Sequence, residues 1–365
     1  MAVLTKRAPE PPAKVPGRPA LRRGRFSVVW RPRTVVVLAL TALVLFVGLV
    51  VNIGRGDFPI SIGEVVAVLF GGGDRGQRFI VLDLRLPQSL TGALVGGALA
   101  VSGAITQAIA RNPLASPDII GITMGASATA VFVIVIGGGF GAVGGFLTAA
   151  GLPIAALIGG LLTAFVIHGL SWRRGIQGFR LVLVGIGINA MLLAIVQWLL
   201  VVAEIHEAAR ATVWLTGSLN ARGWEHVIPV GLALVVLVPA ALVLAHGLGA
   251  LQFGDDTARG LGMRVDHARS WLLVVAVGLA AVATASAGPI AFVALVAPQI
   301  AQRLVGSARP PIAASLLVGA ALTVLSDVIA RTAFPSPLPV GIITAVVGAP
   351  YLLYLLARHG REART

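Results

Sequence analysis

The chain has 365 residues, of which 57% are hydrophobic and 12% charged, with 45 glycines and no cysteine. Soluble domains are about one-quarter charged, so this composition excludes an ordinary water-soluble fold, and the lack of cysteine excludes disulfides, thiolate metal centres and cysteine nucleophiles. The formal charge of +14 lies in a basic tail and in short loops, a distribution that sets membrane orientation and argues against nucleic-acid binding.

Residues 1–33 contain nine Lys/Arg, one acid and six prolines without apolar periodicity. They predict a disordered basic cytoplasmic tail. The apolar run starts only after residue 33 and no small-residue cleavage site follows it, which argues against a secretory signal. Apolar runs near 20 residues, long enough to cross roughly 30 Å of hydrocarbon, then recur at 34–53, 83–110, 117–136, 146–170, 181–203, 227–245, 271–285, 290–304, 312–333 and 339–356. Ten transmembrane helices are expected, in one all-α polytopic membrane domain over 34–358. A short cytoplasmic tail, 359–365, ends the chain.

The connections carry the remaining signals. Residues 54–82 read as a polar loop with one short amphipathic piece, 137–145 as a Gly-rich break and 171–180 as a short basic connector. Residues 204–226 are polar, with Trp214 and Trp224 suited to an interface. Residues 246–270 form the longest charged interior loop. Ser116, Pro117 and Asp118 predict a helix start by capping, fixed φ and dipole complementarity. With both termini in the cytoplasm, inner segments hold 21 of the 28 Lys/Arg, the excess that orientation requires. Spans two to five and seven to ten enter from opposite faces, a pattern compatible with an inverted repeat.

One stretch organises the rest. Between Arg85 and Ala128, Gly92, Gly96, Ala100 and Gly103 recur three or four residues apart on one helix face. Such a glycine-dense helix is poor in water, where each Gly costs about 1 kcal/mol relative to Ala. In a bilayer the same small residues let neighbouring helices approach closely.

Chemistry-bearing patterns are few. No HExxH, GxSxG or P-loop motif occurs. His168, His206, His226, His246, His267 and His359 fall at loops and span ends without metal-ligand spacing. No catalytic, cofactor-binding or metal-ligating residue is therefore assigned. Asp327 lies inside a span, with Arg331 on the same face four residues later. It reads either as a proton relay or as a helix-stabilising pair near the outer end, and one carboxylate beside an arginine is thin support for proton coupling. Gln107, Asn189 and Gln197 are uncharged polar residues suited to lining a pore or joining helices. Within 246–270, Gly254 to Gly262 ("GDDTARGLG") sets Asp255, Asp256, Thr257, Ala258, Arg259, Gly260 and Leu261 in a turn-length amphipathic helix. That is a suitable contact for a separate energy-supplying subunit.

In four blocks the chain resembles the permease subunits of iron–siderophore, haem and vitamin B12 ABC importers. They are "RLPQSLTGALVGGALAVSGAITQAIARNPLASPDIIG", "GDDTARGLG", "AGPIAFVALVAPQIAQRL" and "SDVIAR…LPVGIITAVVGAPYLLYLL". Within that family "RNPLASPDIIG", "GIQGFRLVLVGIGINAML", "LTGSLN" and "GDDTARGLG" look most similar to the ferric-enterobactin permease subunit. The resemblance implies a type II importer permease like that for vitamin B12, in the cell membrane. It also implies a second permease subunit (a related heteromeric partner or a second copy), two ATPase subunits that bind ATP and magnesium, and an extracytoplasmic siderophore-binding protein. The expected cargo is a ferric siderophore, catecholate-like, moved by alternating access; haem or a cobalamin is the alternative within the class. A proton-coupled secondary transporter is the rival from another class. By the same resemblance 254–262 is the ATPase-coupling segment, and Arg85 and Arg331 are the outer arginines that dock the binding protein. A third docking position of the family is Gln88 here, and Gln299 and Gln302 replace basic residues of the usual pattern.

Overall fold

The computed structural model describes residues 20–23, 26–29, 31–56, 58–138, 141–172, 178–251, 255–260 and 264–362. Within the basic tail, β1 (Ala20–Arg23) pairs antiparallel with β2 (Phe26–Val29), Ala20 facing Val29 and Arg23 facing Phe26. Residues 20–23 and 26–29 of the expected irregular tail are thus extended, a state that Val28 and Val29 favour. A lone two-stranded ribbon is marginal in water.

The other regular elements among the described residues are helices. Helix α1 (Pro32–Gly54) opens with a proline in its first turn, where the missing N–H costs no bond. The polar stretch that follows is more ordered than the sequence suggests. It contains α2 (Ile62–Leu69), α3 (Arg75–Arg78) and a π-helical turn (Phe79–Arg85) that runs straight into α4 (Leu86–Ala110). Both short helices start on capping boxes. Ser61 accepts from the Glu64 N–H while Glu64 accepts from the Ser61 N–H, and Asp74 and Gln77 repeat the exchange.

Helix α4 is the centre. It packs on α10 (Trp224–Leu251), α12 (Val265–Ala287), α13 (Val293–Val305) and α14 (Ile312–Thr332). The small-residue face makes these contacts. A Cβ on Gly96 would lie 2.4 Å from the Gly319 carbonyl oxygen, and one on Gly103 only 1.7 Å from that of Ala294. Backbones touch there, with Leu99 and Ile105 of α4, Leu272 and Leu279 of α12 and Val230 of α10 filling the adjoining core.

The expected third span is divided. The Ser116 hydroxyl caps α5 (Pro117–Ile120) by accepting from the Ile119 N–H at 3.3 Å, as the sequence predicts. Gly121 then takes a left-handed φ of 96° before α6 (Ile122–Gly138), at a point where α8 (Gly178–Val202) comes close: a Cβ on Gly121 would lie 3.3 Å from the Gly185 carbonyl oxygen. Helix α7 (Gly141–Ser171) begins three residues after α6 ends, so 137–138 and 141–145 of the expected Gly-rich break are helical. In hydrocarbon the helix is the way for a backbone to satisfy itself, which overrides the weak propensity of glycine. The polar stretch 204–226 likewise contains a helix, α9 (Ile205–Leu215), whose first turn is closed by the Glu204 N–H donating to Glu207. After α10 come α11 (Asp255–Gly260) and, at the end of the chain, α15 (Val340–Glu362).

Among the described residues seven helices are long and apolar enough to cross a membrane. Three shorter apolar helices, Ile122–Gly137, Val293–Val305 and Val340–Leu355, occupy the places expected for spans three, eight and ten.

Candidate functional site

Two buried polar networks lie at opposite ends of the apolar bundle. At the end where α1 finishes, Asn52, Ser89, Asp327 and Arg331 form one network. The Asn52 amide donates to Asp327 Oδ2 at 3.0 Å and to the Ser89 hydroxyl at 3.1 Å. Arg331 Nε lies 3.2 Å from Asp327 Oδ2, and its Nη2 donates to the Asn52 backbone carbonyl at 3.0 Å and to the Asn52 side-chain oxygen. The i,i+4 pairing of Asp327 with Arg331 follows the spacing seen in the sequence. Asn52 and Ser89 were not legible as members; the only signal is a lone amide in the last turn of an otherwise apolar α1.

Arg85 completes this end. It stands at the junction of the π-helical turn and α4, only 8% exposed. Its Nη1 donates to the Ile53 carbonyl at 2.9 Å and its Nη2 to the Phe58 carbonyl at 2.7 Å. The structure thus brings Arg85, Arg331 and Asp327 around the C-terminal turn of α1. Nearby on α2, hydrogen bonds from Ser61 hold the exposed Glu64 carboxyl below its ordinary 4.5.

At the opposite end, Gln107 and Gln299 join α4 to α13. Gln107 Nε2 donates to the Leu295 carbonyl at 3.0 Å, and Gln299 Nε2 donates to Gln107 Oε1 at 2.7 Å. A polar cleft of about 390 Å³ opens beside them, walled by Arg111, Asn112, Gln302 and Arg309 among others. Gln107 is accordingly a helix-joining residue at the rim of a cleft. The Arg309 guanidinium reaches the Ala245 carbonyl at 2.9 Å. Arg33, at the start of α1, donates to the Leu304 and Arg303 carbonyls at 2.7 and 3.0 Å, closing the last turn of α13.

The remaining candidates stand apart. Asn189 on α8 is half-buried against Gly121, and Gln197 lies exposed on the same helix. Within the coupling stretch the backbone of α11 is helical as expected, with Ala258 buried, Thr257, Arg259 and Gly260 exposed, and Arg259 Nη2 3.8 Å from Asp266 Oδ2 at the start of α12. Gly254, Leu261 and Gly262 lie outside the described residues, as do the side chains of Asp255 and Asp256.

A bundle of apolar helices with backbone-to-backbone packing at its centre and polar networks at its ends is the architecture of a multi-pass membrane protein. The chain belongs to the FecCD transport family, whose sequence profile matches residues 42–358. It is 42% identical over 339 residues to the achromobactin transport system permease protein CbrC of Dickeya dadantii, covering 92% of this chain and 95% of that one. It is 40% identical over 330 residues to the ferric enterobactin transport system permease protein FepG of Escherichia coli, covering 89% and 98%. The iron(3+)-hydroxamate import system permease protein FhuG of Bacillus subtilis is 36% identical over 328 residues, with the same two coverages. Among solved structures, a metal-chelate type ABC transporter in an inward-facing conformation matches 88% of this chain and 99% of its own, with a TM-score of 0.77 and 27% identity. The match supports the recognition made from the four sequence blocks, and the achromobactin and hydroxamate relatives broaden the cargo classes among the similar proteins beyond enterobactin.

Proposed function

We propose that this chain is the membrane permease subunit of an ATP-driven importer that carries a ferric siderophore into the cytoplasm. The observation that carries the reading is similarity along nearly the whole membrane domain to permeases of ferric-chelate systems. A catecholate of the enterobactin type is the narrower cargo, supported by the 40% identity to the ferric enterobactin permease protein. The chain would pair with a second permease subunit, related or identical, around a shared path. The exposed face of α8, apolar but for Gln197, suits that path or the contact between the two subunits. Both termini and 246–270 would face the cytoplasm, as the excess of inner basic residues requires.

Work must come from outside the chain, which offers no nucleotide-binding motif. Two ATPase subunits carrying ATP and magnesium would bear on 254–262, where α11 presents exposed Thr257 and Arg259 beside the start of α12. Closing of the ATPases would shift α11, and with it α12, which packs directly on α4. A soluble binding protein would deliver cargo to the opposite face, the one bearing Arg85 and Arg331.

Deleting the gene and growing cells on single iron sources tests this. Loss of growth on a ferric siderophore, restored by the plasmid-borne chain, is expected; unchanged siderophore uptake rejects the reading. In the assembled complex, Asp255→Ala with Arg259→Ala should leave the transporter folded while separating ATP hydrolysis from uptake. Normal uptake by that double variant removes the coupling role.

A further inference from the structure

A helix that closes on a left-handed residue most often closes on glycine, which meets no Cβ penalty there. Helices α5 and α13 follow the rule, ending on Gly121 and Gly306 at φ 96° and 69°. Helix α4 ends instead on Arg111, at φ 50° and ψ 34°, its N–H bonded to the Gln107 carbonyl. An arginine held in a conformation that glycine adopts at less cost points to a use for its side chain.

Arg111 lines the cleft of about 390 Å³ at this end of the bundle, a volume in the range of small-molecule sites. The other polar walls are Gln107, Asn112, Gln299, Gln302 and Arg309, so two guanidiniums and four amides surround the space. No carboxylate occurs among the described lining residues. The walls are fixed before any ligand arrives. Arg309 Nη1 donates to the Ala245 carbonyl at 2.9 Å, and the Ser307 hydroxyl donates to the Arg309 carbonyl at 2.7 Å. Asn112 Oδ1 accepts from the Leu114 N–H at 2.9 Å, which leaves its amide nitrogen for donation. Gln107 and Gln299, both buried, are bonded to each other. These donors come from the end of α4, from α13 and from residues 306–311 beyond it. A carboxylate presents two oxygens in one plane, whereas a tetrahedral oxyanion presents acceptors toward several walls at once, and guanidinium forks suit phosphate. The cleft also adjoins an apolar surface, because Ala245 follows Leu242 and Val243 on α10, which are 42% and 71% exposed. In the orientation proposed above this end meets the cytoplasmic leaflet, where anionic lipids gather beside basic side chains.

We propose that the cleft between Arg111 and Arg309 is a binding site for a phosphate group, supplied by the headgroup of an anionic phospholipid or by free phosphate. The bound group bridges the end of the central helix to the segment after α13 and, through Arg309, to α10. The site does not depend on the importer reading.

The test uses the full chain in a maltoside detergent, which carries no phosphate, and follows amide exchange at Leu114 and Ser307, one on each side of the cleft. Inorganic phosphate or phosphatidylglycerol should slow exchange at both positions severalfold more than chloride at the same ionic strength. Slowing by phosphatidylglycerol alone makes the lipid headgroup the source; slowing by inorganic phosphate makes it free phosphate. Arg309→Gln should remove the effect. Arg111→Gly is the sharper variant, because it suits the left-handed cap while deleting the guanidinium. It should keep the unfolding temperature and lose the slowing. Exchange that neither phosphate nor phosphatidylglycerol slows beyond chloride overturns the proposal. So does Arg111→Gly that is slowed as much as the unaltered chain, since Arg111 would then serve only to end the helix.

Discussion

Helices α4 and α1 are both apolar and both long enough to span a bilayer, yet they are held by opposite means. The apolar window of the segment containing α4 is 83% buried within the chain and that of α1 only 11%. On α1, Leu40, Leu43, Phe46 and Val47 stand exposed along a face that suits lipid. Helix α4 is fixed along its length, by glycines that let the carbonyls of Ala294 and Gly319 come into backbone contact. Helix α1 is fixed most firmly at its tips, by Arg33 gripping the end of α13 and by Arg85 and Arg331 gripping its own last turn. In hydrocarbon an apolar side chain gains little by choosing a helix over a lipid tail. Position is therefore set by close packing of small residues or by polar groups at the ends; α4 relies mainly on the first, while α1 adds the second to its packing on α14.

The contrast can be broken at the α4 end first. Gly103→Val places a side chain where a single Cβ already lies 1.7 Å from a backbone oxygen. Overpacking costs typically about 1–3 kcal/mol where side chains can shift, and here backbone would have to move. Loss of monodisperse protein on size exclusion is expected, and normal yield would show that the α4–α13 contact is looser than described. The polar anchor of α1 comes next. Asp327→Ala removes one partner of a buried pair and should cost about 3–5 kcal/mol, read as a lower unfolding temperature. Asp327→Asn keeps a group for Asn52 to bond and should retain ATP-driven uptake that ignores a pH gradient. Uptake that follows the gradient without ATP would instead favour a proton-coupled carrier.

Smaller effects should sharpen the picture of α1. Arg33 is exposed, so Arg33→Ala should cost only about 0.3–1 kcal/mol, the usual range for a cation at a helix C-terminus. Its signature is faster amide exchange in the last turn of α13, with α4 unaffected. The smallest effect is at α2. Ser61 lowers the Glu64 carboxyl in the folded chain, so that contribution is complete above the ordinary 4.5 and fades as pH falls through the lowered folded value. Faster exchange in the first turn of α2 below that pH is expected, and Ser61→Ala, which removes the hydroxyl but leaves the residue-61 N–H and the Gln77 amide bonded to Glu64, should reduce the pH dependence.

Much of this was legible in the sequence because hydrocarbon simplifies the rules. Runs near 20 residues marked the apolar helices, the Gly92–Gly96–Ala100–Gly103 face marked the central contact, and Ser116 marked the start of α5. What was not legible depended on partners distant in the chain. The break at Gly121 coincides with a close approach of Gly185, some sixty residues away. The helical state of most of 137–145 is set by the solvent and not by the glycines. Helix α9 was readable in principle from the Glu204–Glu207 pair, a local capping signal masked by the polarity of its surroundings. For the candidate site, charge counting and family resemblance placed Arg85 and Arg331 on the outer side. The direction of each guanidinium was not readable, because it depends on the unsatisfied carbonyls of a helix thirty or more residues away in sequence.

The measurement that bears most directly on the whole account is iron-labelled siderophore uptake into liposomes holding this permease with its partner subunits, the binding protein outside and nucleotide inside. The account predicts uptake that requires both the ATPase subunits and hydrolysable ATP. Uptake by this chain alone, with neither ATPase nor nucleotide present, would contradict it.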